Sequence, residues 1–284
     1  MSDWNALSVL FRTVFGHAID EVTWRHKYLP PSPAQAGQIL VCHDRTDEPL
    51  GHLGFIIWPG IGLLGHAPVL QVMDVMVHPQ WRGFMGTERK SVFQFLITAL
   101  SDELGPLAKS VFAYGFAGLR PFRLGQRLGV YRQVHGCWVD TVHPDPDRSV
   151  FSAACWTERE LELISATERP DRLLGPIWSL AYLEWRLIRA KGSYQLWTEG
   201  SQWAVTTNWN DGEVWCVASS GLDACASLPF PVRVWQRQAW RDRGFGPVKN
   251  EPQMIASQVK LSDLSPQWLA AVSGWCEPWS TDVF

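Results

Sequence analysis

The chain has 284 residues, of which 46% are hydrophobic, and it carries a formal net charge of −3 with a pI near 6.2. This length allows one large or two modest domains, each with a real hydrophobic core. The slightly acidic total gives no electrostatic footprint for nucleic acid or for an anionic membrane, and so argues against both as partners.

The six cysteines are scattered, without a Cys-x-x-Cys pair. Because no signal-peptide pattern precedes Trp4 and no apolar run approaches about 18 residues, we expect reduced thiols in a cytoplasmic protein. His135, Cys137, Asp140 and His143 lack the usual spacing of zinc ligands, so no metal is expected. The 17 tryptophans predict large flat contacts in the core, in a cleft or at a subunit interface such as that of a homodimer.

The first elements are two short helices and a hairpin. Apolar residues at helical spacing predict a helix over 7–15, and a second helix over 20–28 ends before Pro30. Segments 38–43 and 50–58 then read as strands joined by a polar turn.

The most informative stretch is an apolar strand over 72–77, followed by an Arg/Gly turn and a helix predicted over 88–100. This order directs several backbone N–H groups and the positive end of the helix dipole toward one place. Such a place suits a phosphate group.

The order strand, Val-His-Pro, two residues, Arg-Gly and helix resembles the acyl-CoA motif of the GNAT superfamily of N-acetyltransferases, Val-x-Pro-x-x-Arg-Gly-x-Gly-x-Gly. Val77, Pro79, Arg82 and Gly83 match that motif, whereas the next two family glycines fall on Met85 and Thr87. The resemblance implies that acetyl-CoA or another acyl-CoA is the co-substrate. It implies that the central strand holds the pantetheine and the turn holds the pyrophosphate, through Val75, Met76, Val77, Arg82, Gly83, Phe84, Met85, Gly86 and Thr87.

A second strand and helix at 110–128 resemble the GNAT segment that follows the CoA loop, with the form strand, Asn-x-x-Ala-x-x-x-Tyr-x-x-x-Gly-Phe. When the two are aligned on Gly129, the family tyrosine that protonates the leaving thiolate falls on Gly125. Tyr131 and Tyr114 are close enough in sequence to replace it, unless they are core residues. Of the two, Tyr131 is the expected proton donor.

The family resemblance also implies that the backbone N–H of Val75 polarises the thioester carbonyl. The family base often lies two or four positions earlier on the same strand, where Met73 and Gln71 cannot act as bases. Asp74 is adjacent, but strand alternation puts it on the opposite face unless a bulge shifts the register. We expect Asp74 to be the base, with two alternatives. Asp74 could instead anchor a neighbouring loop or helix, or a water chain could lead to His78, His26 or Glu88.

The acceptor site is expected in a cleft between two halves of the chain. In many GNAT proteins the early helices form one wall of this site, which implies that Trp24 and Tyr28 contact the substrate; alternatively, they pack the helices onto the sheet. Phe116 and Arg120 are expected to line the same cleft.

The second half of the chain repeats features of the first. Segment 182–187 echoes 24–29, strands are predicted at 194–198, 202–207 and 214–219, and a strand at 232–235 precedes a helix predicted over 236–243. The predicted fold is therefore α/β, with a GNAT-like mixed sheet flanked by helices and a second, divergent GNAT-like half. The expected division is an acyl-CoA-binding domain at 1–140, a linker at 141–155 and a divergent domain at 156–284.

The resemblance predicts an N-acyltransferase that moves an acyl group, expected to be acetyl, from CoA to an amine of a small molecule or glycan precursor. One alternative is a non-catalytic GNAT-like module that binds a ligand or a protein. Another is an acyltransferase whose donor is an acyl carrier protein or an aminoacyl-tRNA.

Overall fold

The computed structural model describes residues 4–62, 65–85, 90–166, 175–188, 194–209, 212–237 and 254–261. The α-helices are α1 (Trp4–Phe15), α2 (Glu21–Lys27), α3 (Val92–Leu104), α4 (Leu119–Arg127), α5 (Glu158–Ala166), α6 (Leu180–Leu183) and α7 (Leu222–Ala226), and a π-helical turn, Glu184–Ile188, follows α6. The strands are β1 (Gln35–Cys42), β2 (Pro49–Gly62), β3 (Gly65–Val77), β4 (Phe84–Met85), β5 (Lys90–Ser91), β6 (Phe112–Gly118), β7 (Tyr131–Val142), β8 (Ser152–Ala154), β9 (Gly175–Pro176), β10 (Tyr194–Glu199), β11 (Gln202–Trp209), β12 (Glu213–Ser219), β13 (Val232–Arg237) and β14 (Met254–Val259).

The first half of the chain builds an antiparallel meander and then one parallel pair. β1 pairs with β2, β2 pairs with β3, and β6 lies parallel to β3 after α3 has crossed over. Parallel neighbours need such a crossover connection, because a tight turn cannot return the chain in the same direction. The resulting order β1-β2-β3-β6 begins a 12-stranded sheet among the described residues.

Helix α3 packs against the centre of this sheet, and it begins later in the chain than predicted. Its apolar side chains Val92, Phe93, Leu96, Ile97 and Leu100 are all buried, as the helical spacing indicated. Burying each such side chain contributes about 1.5–3 kcal/mol. The predicted start at 88 is wrong, because the chain forms β5 first and the helix starts only at Val92.

The second half follows the same succession of elements. β10, β11 and β12 form an antiparallel meander, α7 crosses over, and β13 pairs parallel with β12. The three predicted strands at 194–198, 202–207 and 214–219 are confirmed. This repeated order confirms the predicted α/β fold of two similar halves with a mixed sheet and flanking helices.

One prediction in the second half is wrong. The helix predicted over 236–243 conflicts with β13, which continues as a strand through Arg237 and pairs with β7 as far as Arg237↔Cys137. Residues 238–243 lie outside the described residues. Arg233, Arg237 and Arg241 are spaced four residues apart, and this spacing fits one face of a helix but equally one face of a strand.

Strand β14, near the end of the chain, lies between two strands of the first half. It pairs antiparallel with β6 on one side and with β7 on the other, and β7 in turn pairs with β13. One sheet therefore runs through both halves, and the expected linker 141–155 contains the end of β7 and all of β8. The division into domains at 140 and 155 stays a prediction, based on the repeat in the sequence. In the structure, hydrogen bonds between strands join the two halves.

Two large cores cover opposite faces of the central strands. On β3, Leu70 and Val72 face the core under α3 and α4, whereas Val69 and Met73 face the core under α5 and α6. A smaller cluster under α1 and α2 includes Met76. The alternation follows from the two-residue period of a strand.

Candidate functional site

The candidate site lies where β3 and β6 separate. Their ladder joins residues 69–71 to 112–114. Beyond it, β3 continues to Val77 and β6 to Gly118 with no further Cα partners between the two strands in the described chain. β6 pairs on its other side with β14 along this length. Val72 still approaches β6, since its carbonyl oxygen lies 3.1 Å from the position of a Cβ on Gly115. Among the described residues, the edge of β3 that faces β6 is therefore open from Met73 onward.

A β-bulge sits on β3 inside this opening. Gly54 on β2 opposes Met73, whereas His52 opposes Met76, so β3 carries one more residue than β2 between these pairs. Asp74 is in this extra length and has φ of +46°. Aspartate is among the few non-glycine residues that enter the left-handed region readily, which suits this position.

The bulge decides which way the Asp74 side chain points. Met73 faces the core under α5 and α6, while Val75 packs against the core under α3 and α4. Asp74, between them, contacts helix α2, on the same side as Met76. The bulge therefore brings Asp74 to the side of the early helices, which regular alternation would not do.

The Asp74 carboxylate is held by two residues of the α2 region. Lys27 Nζ donates to Oδ1 at 2.9 Å and the Tyr28 hydroxyl donates to Oδ2 at 2.8 Å. The side chains of Lys27 and Asp74 are only 3% and 6% exposed, so this ion pair is buried. Gly54 makes room for Tyr28, because a Cβ at position 54 would collide with the Tyr28 ring. Asp74 thus anchors α2 to the central strand.

His52 fixes the bulge from the neighbouring strand. Its Nδ1 lies 2.9 Å from the Asp74 carbonyl oxygen, and its Nε2 lies 3.1 Å from the Gln38 side-chain oxygen. Burial lowers the pKa of His52, so the ring is neutral and carries one N–H. Since the Asp74 carbonyl can only accept, Nδ1 donates to it, and this hydrogen bond ties the bulge to β2.

The turn expected to bind the pyrophosphate differs from a loop that runs straight into a helix. Arg82 is exposed, and its Nε donates to the Val77 carbonyl at 3.2 Å. Gly83 is also exposed, with nothing near the position of a Cβ. The backbone then forms a small hairpin in which β4 pairs with β5. Gly86 and Thr87 lie outside the described residues.

The first turn of α3 caps itself. The Ser91 hydroxyl accepts from the Gln94 backbone N–H at 3.2 Å, and the Gln94 side chain accepts from the Ser91 N–H at 3.0 Å. This capping box satisfies donors that a helix N-terminus otherwise leaves open. A phosphate near α3 would have to use the remaining N–H groups.

The predicted acceptor residues fall into two groups. Trp24 is 4% exposed, packs within the α1/α2 cluster, and has its ring centre 5.0 Å from Tyr28 and 5.1 Å from His52. These contacts bring Trp24, Tyr28 and Asp74 together. Phe116 is half-buried in the part of β6 that lies beyond the ladder with β3, and Arg120 is exposed at the start of α4.

Tyr131 lies elsewhere, in the core under α3 and α4. Its ring packs against Phe93 and Phe122, and it occupies the space that a side chain at Gly125 would fill. Burial raises the pKa of its hydroxyl, which stays protonated. The family tyrosine position, Gly125, is thus filled by the Tyr131 ring, and the proton-donor role of Tyr131 stays a prediction.

Sequence reasoning missed the contact between α2 and the π-helical turn. His26 Nε2 lies 3.1 Å from the Trp185 carbonyl oxygen, the Trp185 indole donates to the His26 carbonyl at 3.2 Å, and the two rings stack. The echo between segments 24–29 and 182–187 was the available signal. Equivalent segments of a repeat can meet across an approximate two-fold axis, as they do at a symmetric interface. The second half therefore helps to position α2.

No protein-family model matches the sequence, and a comparison with curated proteins finds no match. Solved structures do match. A probable N-acyltransferase from Enterococcus faecalis is 14% identical, with a TM-score of 0.59 over 90% of this chain and 70% of that one. Saccharomyces cerevisiae N-myristoyltransferase with bound myristoyl-CoA is 10% identical, with a TM-score of 0.58 over 92% and 80%. A GCN5-related N-acetyltransferase from Anabaena variabilis is 11% identical, with a TM-score of 0.55 over 91% and 70%.

These similarities extend over most of the chain and show that it has a GNAT-like fold. None of the helices in the described ranges combines the length and apolarity that a membrane span requires.

Proposed function

We propose that the protein is an N-acyltransferase that moves an acyl group, expected to be acetyl, from CoA to an amine of a small molecule or glycan precursor. The observation that carries this proposal is the open edge of β3 opposite β6, with a bulge at Asp74 inside it. An open strand edge offers backbone N–H and C=O groups to a ligand that lies along it, as an added strand would.

In the proposed complex, the pantetheine of the acyl-CoA lies along Val75, Met76 and Val77. The Val75 N–H donates to the thioester carbonyl oxygen, where negative charge develops during attack by the amine. Arg82 and the backbone of residues 83–87 hold the pyrophosphate. The exposed Arg82 guanidinium supplies the positive charge that this group requires.

The proposed acceptor cleft lies beside α2. Tyr28 and Phe116 are the half-buried aromatic residues offered to the substrate, with Arg120 at the rim and Trp24 supporting Tyr28 from below. Asp74 is the proposed base, acting directly or through a water molecule. Since both of its oxygens already accept a hydrogen bond, it can accept the amine proton only on a remaining lone pair.

The donor half of the proposal is tested by titrating the protein with acetyl-CoA and longer acyl-CoAs, followed by tryptophan fluorescence and calorimetry. We expect saturable micromolar binding that Arg82→Glu weakens at least tenfold. Arg45→Glu, at another exposed arginine, is the matched control and should leave the affinity unchanged. Equal affinity in all three proteins would overturn the pyrophosphate assignment.

The transfer step is tested by a screen of amines that detects the free thiol of CoA. Amine-dependent release of thiol is the expected result. Absence of acyl-CoA binding at millimolar concentration would remove the donor and with it the proposed reaction.

The second candidate, a non-catalytic ligand-binding module, is favoured by two observations. The α3 N-terminus is capped by its own side chains, and the Asp74 carboxylate is occupied by Lys27 and Tyr28. This candidate predicts acyl-CoA binding without thiol release for any amine. A carrier-protein or aminoacyl-tRNA donor is the third candidate, and the net charge of −3 argues against the tRNA.

The proposal also includes a cytoplasmic location and a homodimer, both expected from the sequence. Light scattering coupled to size-exclusion chromatography tests the dimer directly, because the mass of one chain is 32.1 kDa. A species of one chain mass at micromolar concentration would contradict the homodimer.

A further inference from the structure

Two buried thiols meet in the second half of the chain, far from the candidate site in the sequence. Cys216 lies on β12 and Cys225 on α7, with exposures of 4% and 3%. Their Sγ atoms are 3.4 Å apart and share a hydrogen bond. A disulfide needs about 2.05 Å between the sulfurs, so formation of the bond requires an approach of little more than 1 Å.

The two thiols differ in their surroundings. The hydrogen bond with Cys216, together with that of Ser219, lowers the pKa of Cys225 despite its burial. The same hydrogen bond and burial raise the pKa of Cys216. Cys225 therefore loses its proton more readily than Cys216. Thiolate character decides which cysteine an oxidant attacks first.

Helix α7 is an attachment point for the segment that connects the halves. Arg148 bonds to Asp223 through Nη2 at 2.9 Å. The backbone N–H of Asp145 donates to the Ala226 carbonyl, and that of Phe151 donates to the Ser227 carbonyl. A covalent link from β12 to α7 would therefore fix the helix on which segment 145–151 is docked.

We propose that Cys216 and Cys225 form a reversible disulfide when the protein meets a hydroperoxide. The Cys225 thiolate attacks one peroxide oxygen, forming a sulfenic acid and releasing hydroxide, which takes up a proton to become water. The Cys216 sulfur then attacks the Cys225 sulfur, its proton goes to the departing hydroxyl, and a second water leaves. Two thiols and one hydrogen peroxide thus give one disulfide and two waters.

The test uses the full-length protein treated with hydrogen peroxide, alkylated under native and then denaturing conditions, and mapped by mass spectrometry. Trypsin leaves both cysteines in one peptide, because the sequence has no lysine or arginine between Lys191 and Arg233. The expected peptide resists alkylation and is lighter by two hydrogens than the reduced form. Cleavage after Asp223 separates the two cysteines, so the oxidised pair then appears as two linked peptides.

Dithiothreitol should restore both thiols, and oxidation should slow amide hydrogen exchange over 145–151. Cys216→Ala and Cys225→Ala should each abolish the linked peptides. The double variant Cys42→Ser/Cys155→Ser, at exposed cysteines, is the matched control and should keep them.

Alkylation of both Cys216 and Cys225 after a peroxide treatment that oxidises Cys42 or Cys155 would overturn the proposal. A disulfide that joins either cysteine to a different one would also overturn it. Because mapping of the wild-type protein gives both answers, the test does not depend on how the variants fold. It also needs no acyltransferase activity, so it stands apart from the proposed function.

Discussion

At the scale of single residues, the main feature of the candidate site is the buried ion pair between Lys27 and Asp74. Removing two charges from water is expensive, and their attraction returns that free energy only when both partners are present and well placed. Here both Asp74 oxygens accept a hydrogen bond, and the bulge that presents Asp74 is held by His52. The arrangement fixes α2, and therefore Tyr28, relative to the central strand.

Removing one partner of this pair should be far more harmful than removing both. Asp74→Asn keeps the shape and the left-handed backbone but removes the carboxylate charge that pairs with the buried Lys27 ammonium at 2.9 Å, and we expect a loss of about 3–5 kcal/mol in the free energy of unfolding. The double variant Lys27→Met/Asp74→Asn should recover much of that loss. Urea unfolding of the wild type, both single variants and the double variant measures the coupling.

The matched control for this cycle is the exposed pair of Glu21 and Arg25 on the same helix, one turn apart. Exposed pairs of this type contribute about 0.3–0.5 kcal/mol, so Glu21→Gln should change stability little. A loss below about 1 kcal/mol for Asp74→Asn would mean that the ammonium finds water or another partner, contrary to the buried-pair interpretation.

His52 should make stability depend on pH below neutrality. Its pKa in the folded protein is lowered by burial, so the unfolded chain binds a proton more readily than the folded one. The stability from the neutral ring is complete above the unfolded pKa of about 6.5 and is lost as pH falls below it, by up to about 1.4 kcal/mol per pH unit. The measurement is chemical unfolding between pH 7 and 5 for the wild type and His52→Gln.

His52→Gln keeps a polar side chain at position 52, but that side chain does not titrate in this range. The stability of the variant should therefore fall less steeply with decreasing pH. The exposed His17 serves as the control, and His17→Gln should keep the wild-type slope. Equal slopes in all three proteins would show that the ring is not held neutral by the fold.

At the scale of elements, local signals were enough wherever a segment is decided by its own residues. The apolar spacing of α1 and α3 and the alternation of β10–β12 predicted those elements, with errors at their ends. The family motif predicts a start of α3 at 88, whereas the capping box of Ser91 and Gln94 places the start at Val92. From the sequence, a bulge could be stated only as the condition under which Asp74 faces the site. The sequence does not show that the bulge forms, because the partner of Asp74, Lys27, lies 47 residues away.

The capping box gives the prediction for this scale. Ser91→Ala removes the acceptor for the Gln94 N–H and should lower the free energy of unfolding by about 1 kcal/mol. Ser8→Ala, within α1, is the control and should be neutral or slightly stabilising because alanine is the better helix former. Thermal and urea unfolding of both variants measure the effect. An unchanged Ser91→Ala protein would mean that α3 starts at another residue in solution.

At the scale of the whole molecule, the two halves share one sheet. Strand β14 fills the position between β6 and β7, and its Ile255 and Val259 are buried in the core under α3 and α4. The repeat in the sequence predicts the order of the elements. It could not reveal that β14 is inserted between two strands of the first half. Pairing between strands more than 100 residues apart leaves no periodic signal in either strand.

The insertion of β14 predicts that the first half does not fold by itself. A fragment of residues 1–142 contains β6 and β7 but leaves the hydrogen-bonding edges that β14 covers open, and it loses Ile255 from the core. Exposed strand edges promote association, so the fragment should aggregate or unfold without a cooperative transition. Circular dichroism during heating, compared with the full chain, gives the measurement.

Point variants in the full chain test the same idea without truncation. Ile255→Asp places a charge in the shared core and should abolish cooperative folding of the first half, whereas the exposed Lys260→Asp, just after β14, should have little effect. A fragment 1–142 that unfolds cooperatively, with a stability near that of the full chain, would show instead that the sequence repeat marks an independent domain. In that case β14 would only dock onto a sheet that is already complete, and the site between β3 and β6 would be a property of the first half alone.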